Sequence, residues 1–213
     1  MTRHSNLVRA ALLALAAPLI SGCVTLLPKQ AAIALYRFGG DSQSITAEMS
    51  GRNVGVMSGA GAGPRVEVSL PVASQGDSIL TLTGERAAYV SGGRWVSPAT
   101  DLFREAAVRS LAGRGAGPAP GVLTLTVTRF EADYDEGAGV PPIVRVDAVV
   151  TLSGGGRGAR SLGTVHGEQR SAQNRIGEIV RAYDAAVDRV LLATAAAIDA
   201  DAQTPSRAVL APR

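Results

Sequence analysis

From Ala31 onward the chain alternates between runs with a period of two and runs with a period near 3.6. Val66, Val68 and Leu70 alternate with Arg65, Glu67 and Ser69, which predicts a half-buried strand over Arg65–Ala73. Ala31–Phe38, Ser78–Thr83 and Arg86–Val90 read as further short strands. A turn at Ser91-Gly92-Gly93 is expected before the chain resumes at Arg94-Trp95-Val96. Leu102, Phe103, Ala106, Ala107 and Leu111 share one face at helical spacing. They predict a helix that starts at Ser97-Pro98, is capped by Thr100 or Asp101, and stops at Gly113. Val122–Phe130, Ile143–Leu152 and Leu162–Ser171 read as an antiparallel meander, joined by an acidic loop around Asp133–Pro142 and by Ser153–Arg160. A final helix is expected over Asn174–Ala200. Its stripe is Ile176, Ile179, Val180, Tyr183, Val187, Val190, Leu191 and Ile198. Gly51–Gly63 reads as a loop, Gly113–Gly121 as a linker, and residues 201–213 as a disordered tail.

The amino terminus follows neither period. Arg3, His4 and Arg9 make a basic start, and Ala10–Ile20 is an apolar run of eleven residues. That run is too short for a bilayer core, which takes about 20 apolar residues. Small residues follow at Ser21-Gly22, so residues 1–22 read as a signal peptide. Ile20-Ser21-Gly22-Cys23 resembles the bacterial lipobox. The resemblance implies cleavage between Gly22 and Cys23, diacylglycerol on the Cys23 thiol and an acyl chain on the new amino terminus. Two or more chains hold a protein stably at a membrane where one does not. Cys23 is the only cysteine in the sequence and stands where such an anchor needs it. The competing reading is an ordinary secretory leader with a chance cysteine. Residues 23–30 then form a lipidated tether. Val24, rather than Asp, follows the cysteine. By analogy with Gram-negative sorting, this favours the periplasmic face of the outer membrane over inner-membrane retention.

Composition narrows the field. The chain carries 21 Lys and Arg against 18 Asp and Glu, but the first 22 residues hold two of the bases and no acid. The remainder balances at 19 against 18, a net +1, so no domain-wide field for nucleic acid remains. Aromatic residues are 4% of the chain, which argues against base stacking. A single cysteine excludes a disulfide framework and Cys-rich zinc sites. No Gly-Lys-Ser/Thr occurs, so the chain is not a transporter's ATPase. Ser58–Gly63 superficially resembles a dinucleotide loop but precedes a strand rather than a helix. His166 is the one histidine beyond the leader, and no nucleophile elbow accompanies it. Asp133, Asp135 and Glu136 cluster without calcium-loop spacing and read as solvated hairpin charge. No metal and no cofactor other than the covalent acyl chains is expected.

Several residues carry a family resemblance. They are Tyr36-Arg37-Phe38, Asp77-Ser78-Ile79-Leu80, Ala88-Tyr89-Val90 and Gly93-Arg94-Trp95-Val96. A helix with Leu102-Phe103 follows, and a long amphipathic helix closes the chain. In this order they resemble the ABC-type transport auxiliary lipoprotein family, the paraquat-inducible-type component of Mce (mammalian-cell-entry) lipid transport systems. The stretch Asp77–Leu111 is the most specific, and the resemblance covers residues 31–200. It implies one α/β domain: a mixed, largely antiparallel sheet packed by two main helices. It implies a non-enzymatic role in moving lipids or other hydrophobic molecules between inner and outer membranes. The implied partners are the Mce-domain substrate-binding subunit, the permease and the ATPase, with a second copy of the chain as a further candidate. Tyr89, Arg94 and Trp95 form a candidate interaction surface, against which stands simple packing of helix on sheet. Two other classes compete: an envelope-assembly or solute-binding lipoprotein outside any ABC system, and a small hydrolase.

Overall fold

The structure is a computed structural model that describes residues 33–39, 65–111, 121–154 and 157–203. The leader, Cys23, the tether, Gly51–Gly63, residues 113–120 and residues 204–213 lie outside the described residues. Seven strands form one sheet: β1 (Ala34–Tyr36), β2 (Arg65–Ser69), β3 (Ser78–Thr83), β4 (Arg86–Trp95), β5 (Gly121–Asp133), β6 (Ile143–Gly154) and β7 (Arg157–Arg170). Helices α1 (Ala99–Ser110) and α2 (Ile176–Gln203) complete the single mixed α/β domain.

The strands run in the order β1-β4-β3-β5-β6-β7, with β2 also on β5. β5, β6 and β7 form the expected antiparallel meander, and their long registers make most of the ladder antiparallel. β1 on β4, and β2 and β3 on β5, are parallel. β2 pairs with Val122–Thr126 and β3 with Ala132 and Asp133, so the two lie end to end along one side of β5. Pro71 and a 3₁₀ turn, Val72–Ser74, bridge the gap between them. There the Ser74 hydroxyl donates to the Phe130 carbonyl at 2.9 Å. The strand expected to reach Ala73 therefore stops at Ser69. Pro71 has no N–H to give a ladder.

Both helices cover one face of the sheet. Leu123, Leu125 and Val127 of β5 and Val144, Val146, Ala148 and Val150 of β6 point into that layer and are buried. A bulge between Val127 and Arg129 keeps the alternation in step, so Phe130 and Ala132 also face inward. α1 buries Leu102, Phe103, Ala106 and Ala107, and α2 buries its predicted stripe from Ile179 to Ile198. Gly167 lets α2 approach β7 closely: a side chain there would run into the Ala186 carbonyl. The segment after β1 is pinned from the same layer, where Asp184 accepts the Gly39 N–H at 2.6 Å.

Boundaries of β4 and of both helices also depart from expectation. Ser91-Gly92-Gly93 is not a turn but part of β4. Ser78 pairs with Arg94 and Leu80 with Tyr89, so one residue of β3 faces four of β4. Gly92, at φ +80, and Gly93, where a Cβ would strike Ile176, make that wide bulge tolerable. α1 takes Pro98 as its N-cap, with no side-chain cap; Asp101 instead sits in the first turn, where a negative charge suits the helix dipole. α2 begins at Ile176, because Asn174 is held outside it by the Tyr134 hydroxyl and the Ala138 carbonyl. It extends to Gln203, so residues 201–203 of the expected tail are helical.

Candidate functional site

Three of the residues that carry the family resemblance, Phe38, Trp95 and Phe103, meet in one place. Phe38, Trp95, Phe103, Phe130 and Tyr183 form a single aromatic cluster. Phe38 and Trp95 meet edge to face at 4.9 Å, and Trp95 meets Tyr183 in the same way at 5.2 Å. Trp95 is 2% exposed and does not belong to the candidate interaction surface. Strand alternation turns it into the helix-covered layer while Arg94 points the other way. Tyr89 and Arg94 remain exposed, each held by a neighbour. The Tyr89 hydroxyl donates to the Ala73 carbonyl at 3.1 Å, and Arg94 lies 3.3 Å from Asp77. Asp77 also accepts the Trp95 N–H at its carbonyl, 2.7 Å away. It thus fixes two consecutive residues that face opposite sides of the sheet.

The face away from the helices carries a charge lattice. Register places Arg129, Asp147 and His166 side by side across β5, β6 and β7. Next come Glu131, Arg145 and Glu168, then Asp133, Ile143 and Arg170. Opposite signs adjoin at Arg129–Asp147 and throughout the second rank, the stabilising arrangement for cross-strand pairs. Arg145 binds Asp133, Glu168 at 3.2 Å and Asp135 at 3.3 Å. Arg170 reaches Asp135 at 3.1 Å and Glu136 at 3.0 Å. Desolvation pushes the Asp135 carboxyl upward, but the Arg170 bond and the charges of Arg170 and Arg145 outweigh it. The group is held below the ordinary carboxylate range.

The acidic cluster is part of this lattice. Asp133 ends β5 rather than opening a loop, and Asp133, Asp135 and Glu136 are each bound by guanidinium groups. Among the described residues no group of three or more His, Cys, Asp or Glu is placed to hold a metal ion. His166 is well exposed, and its Nδ1 stands 2.9 Å from the Asp147 carboxylate. Among the described residues its side-chain partner is that carboxylate. Sequence reasoning did not foresee the lattice as a unit. Its signal was present in the polar positions of three strands, but only the register shows which charges meet.

Gly22 and Cys23 lie outside the described residues. Among the described residues no helix is long and apolar enough to cross a membrane. No family model matches the sequence, and no curated protein matches it. Solved structures do. The Xanthomonas campestris protein XCC0632, of the domain family DUF330, matches with a TM-score of 0.55 at 22% identity, covering 67% of this chain and 92% of its own. An uncharacterised protein matches at 0.52 and 18% identity, covering 65% and 90%. A chain from Caulobacter crescentus CB15 described as a candidate lipoprotein reaches only 0.32 at 20% identity, covering 60% and 93%, too low to carry an argument. At these identities the likeness is one of fold.

Proposed function

We propose that the protein is a lipid-anchored periplasmic auxiliary component of an Mce-type ABC transport system. It would help lipids or other hydrophobic molecules pass between the inner and outer membranes. The observation that carries this reading is the placement of the sole cysteine at the end of Ile20-Ser21-Gly22-Cys23, behind a basic and then apolar leader. A second observation supports it. The residues of the family resemblance are scattered from Tyr36 to Phe103, yet Phe38, Trp95 and Phe103 pack into one core and Asp77 holds Arg94 beside it. The partners on this reading are the Mce-domain subunit, the permease and the ATPase, while this chain itself is held at the periplasmic face of the outer membrane. The role is one of binding and placement, not catalysis. Two or three acyl chains keep the domain at one membrane, and confinement makes weak contacts with a partner effective.

The test has two parts. Mass spectrometry of the mature protein should show a chain starting at a triacylated Cys23, and Cys23→Ser should move it to the soluble periplasmic fraction. Affinity purification of the acylated protein should bring down an Mce-domain subunit. A free thiol at position 23 overturns the anchor. Recovery of envelope-assembly proteins in place of the transporter favours the competing lipoprotein reading.

A further inference from the structure

We infer that Ile33, Leu35 and Val96, with Arg94 among them, form a lipid-contact surface that rests on the bilayer holding the Cys23 acyl chains. The inference depends on the lipid anchor proposed above and adds a face and an orientation to it.

Leu35 sits on the edge strand β1, opposite Arg94 of β4. Its neighbours Ala34 and Tyr36 pair with Gly93 and Trp95, which face the helices, so Leu35 faces the other way. It is 64% exposed; Ile33, two residues before it, is 53% exposed, and Val96, two residues after Arg94, is 48% exposed. Directly opposed cross-strand positions are neighbours on a sheet surface, so Leu35 lies beside Arg94, with Ile33 and Val96 just past the ends of the paired stretch. Single exposed aliphatic residues need no explanation; a concentration of them does. Among the described residues, seven large hydrophobic side chains are exposed. Five of them (Ile33, Leu35, Val72, Tyr89 and Val96) lie on or beside β1, β4 and the 3₁₀ turn. The open face over β5, β6 and β7 carries instead the threonines of β5 and the ion-pair lattice.

The length of chain before the strip names its occupant. Ile33 follows Cys23 by ten residues. Ten residues span at most about 35 Å when fully extended, so the anchor keeps this end of the domain within reach of the headgroups. A bilayer interface accepts this chemistry. Aliphatic side chains enter the headgroup–acyl boundary, and Arg94 can bury its stem while its guanidinium, paired with Asp77, stays at headgroup level. A contact this small would not hold a free protein, but on a tethered one it fixes which face looks at the membrane.

The experiment uses the mature acylated protein in vesicles of phosphatidylethanolamine and phosphatidylglycerol. The Cys23 sulfur is consumed as a thioether, so Leu35→Cys introduces a single thiol for an environment-sensitive fluorophore. Leu192→Cys on the outer side of α2, also an exposed leucine, is the control. Each preparation is first floated with the vesicles. The expected result is flotation of both, with blue-shifted emission and several-fold stronger quenching by a doxyl lipid for the label at position 35 only. Flotation with equal quenching at the two positions overturns the contact surface and leaves the anchor standing. Failure of the acylated protein to float overturns both.

Discussion

Tyr183 of α2 gives its hydroxyl hydrogen to the carbonyl oxygen of Leu80 in β3, 2.9 Å away and 103 residues earlier in the chain. Burial, reinforced by the Glu131 carboxylate, pushes the phenol well above its usual range, so it stays a neutral donor at any pH the protein meets. The bond locks the long helix to the half of the sheet that holds the aromatic cluster. Tyr183→Phe keeps the ring and removes the donor, and should cost about 1–2 kcal/mol in urea unfolding. Tyr183→Ala also removes the ring from contact with Trp95 and Phe130, and should cost about 3–5 kcal/mol.

Gly167 sets how close α2 comes to β7. A Cβ at this position would meet the Ala186 carbonyl, a backbone atom that can move only if the helix moves. Gly167→Ala should therefore destabilise by about 1–3 kcal/mol or more, the usual range for overpacking. Gly158 lies on the same strand with open space around it. Gly158→Ala should stay within about 0.5 kcal/mol of the parent in the same measurement.

The contrast between those two glycines shows where pattern reading stops. Period-two and period-3.6 runs are enough to find the meander and the buried stripe of α2, because burial on one face imposes those periods directly. The alternation of Arg94 and Trp95 was equally readable, yet both were grouped with Tyr89 because the intervening glycines suggested a turn. The wide bulge at Val90–Gly93 depends on what packs above it, namely Ile176 from the far end of the chain. No local pattern carries that contact. The same holds for the charge lattice, where each strand shows only its own charges and the partners come from register. Candidate chemistry in the leader was legible for the opposite reason, since a signal sequence is read as a linear string.

The lattice makes a pH prediction whose sign can be fixed. The folded protein holds the Asp135 carboxyl below its ordinary range, so the unfolded chain binds its proton first as pH falls. Its stabilising contribution is present above the ordinary carboxylate pKa and is lost as pH falls through the depressed folded value. Arg170→Met removes the hydrogen bond and nearest charge that hold it down. Carboxyl-carbon NMR should show Asp135 titrating at higher pH in that variant. The gap in melting temperature between variant and parent should be widest near pH 7 and close toward pH 2.

Asp201 lies in the last turn of α2, where a carboxylate opposes the helix dipole and the helix has no basic residue of its own. Arg160 of β7 brings a cation to it, binding both Asp201 oxygens with a fork of two nitrogens, one at 2.7 Å. That bond raises the Arg160 pKa and ties the helix end to the edge strand. Arg160→Ala removes this two-nitrogen clamp between β7 and α2 and should loosen the final turn. Amide hydrogen exchange at residues 199–203 should accelerate markedly, while Val187–Leu191 keep their protection, because local opening of a helix end need not touch the core. Global stability should fall by no more than about 1 kcal/mol, as for a partly exposed ion pair. Unchanged exchange at the terminal turn would mean that contacts other than the Arg160 guanidinium set where the helix ends.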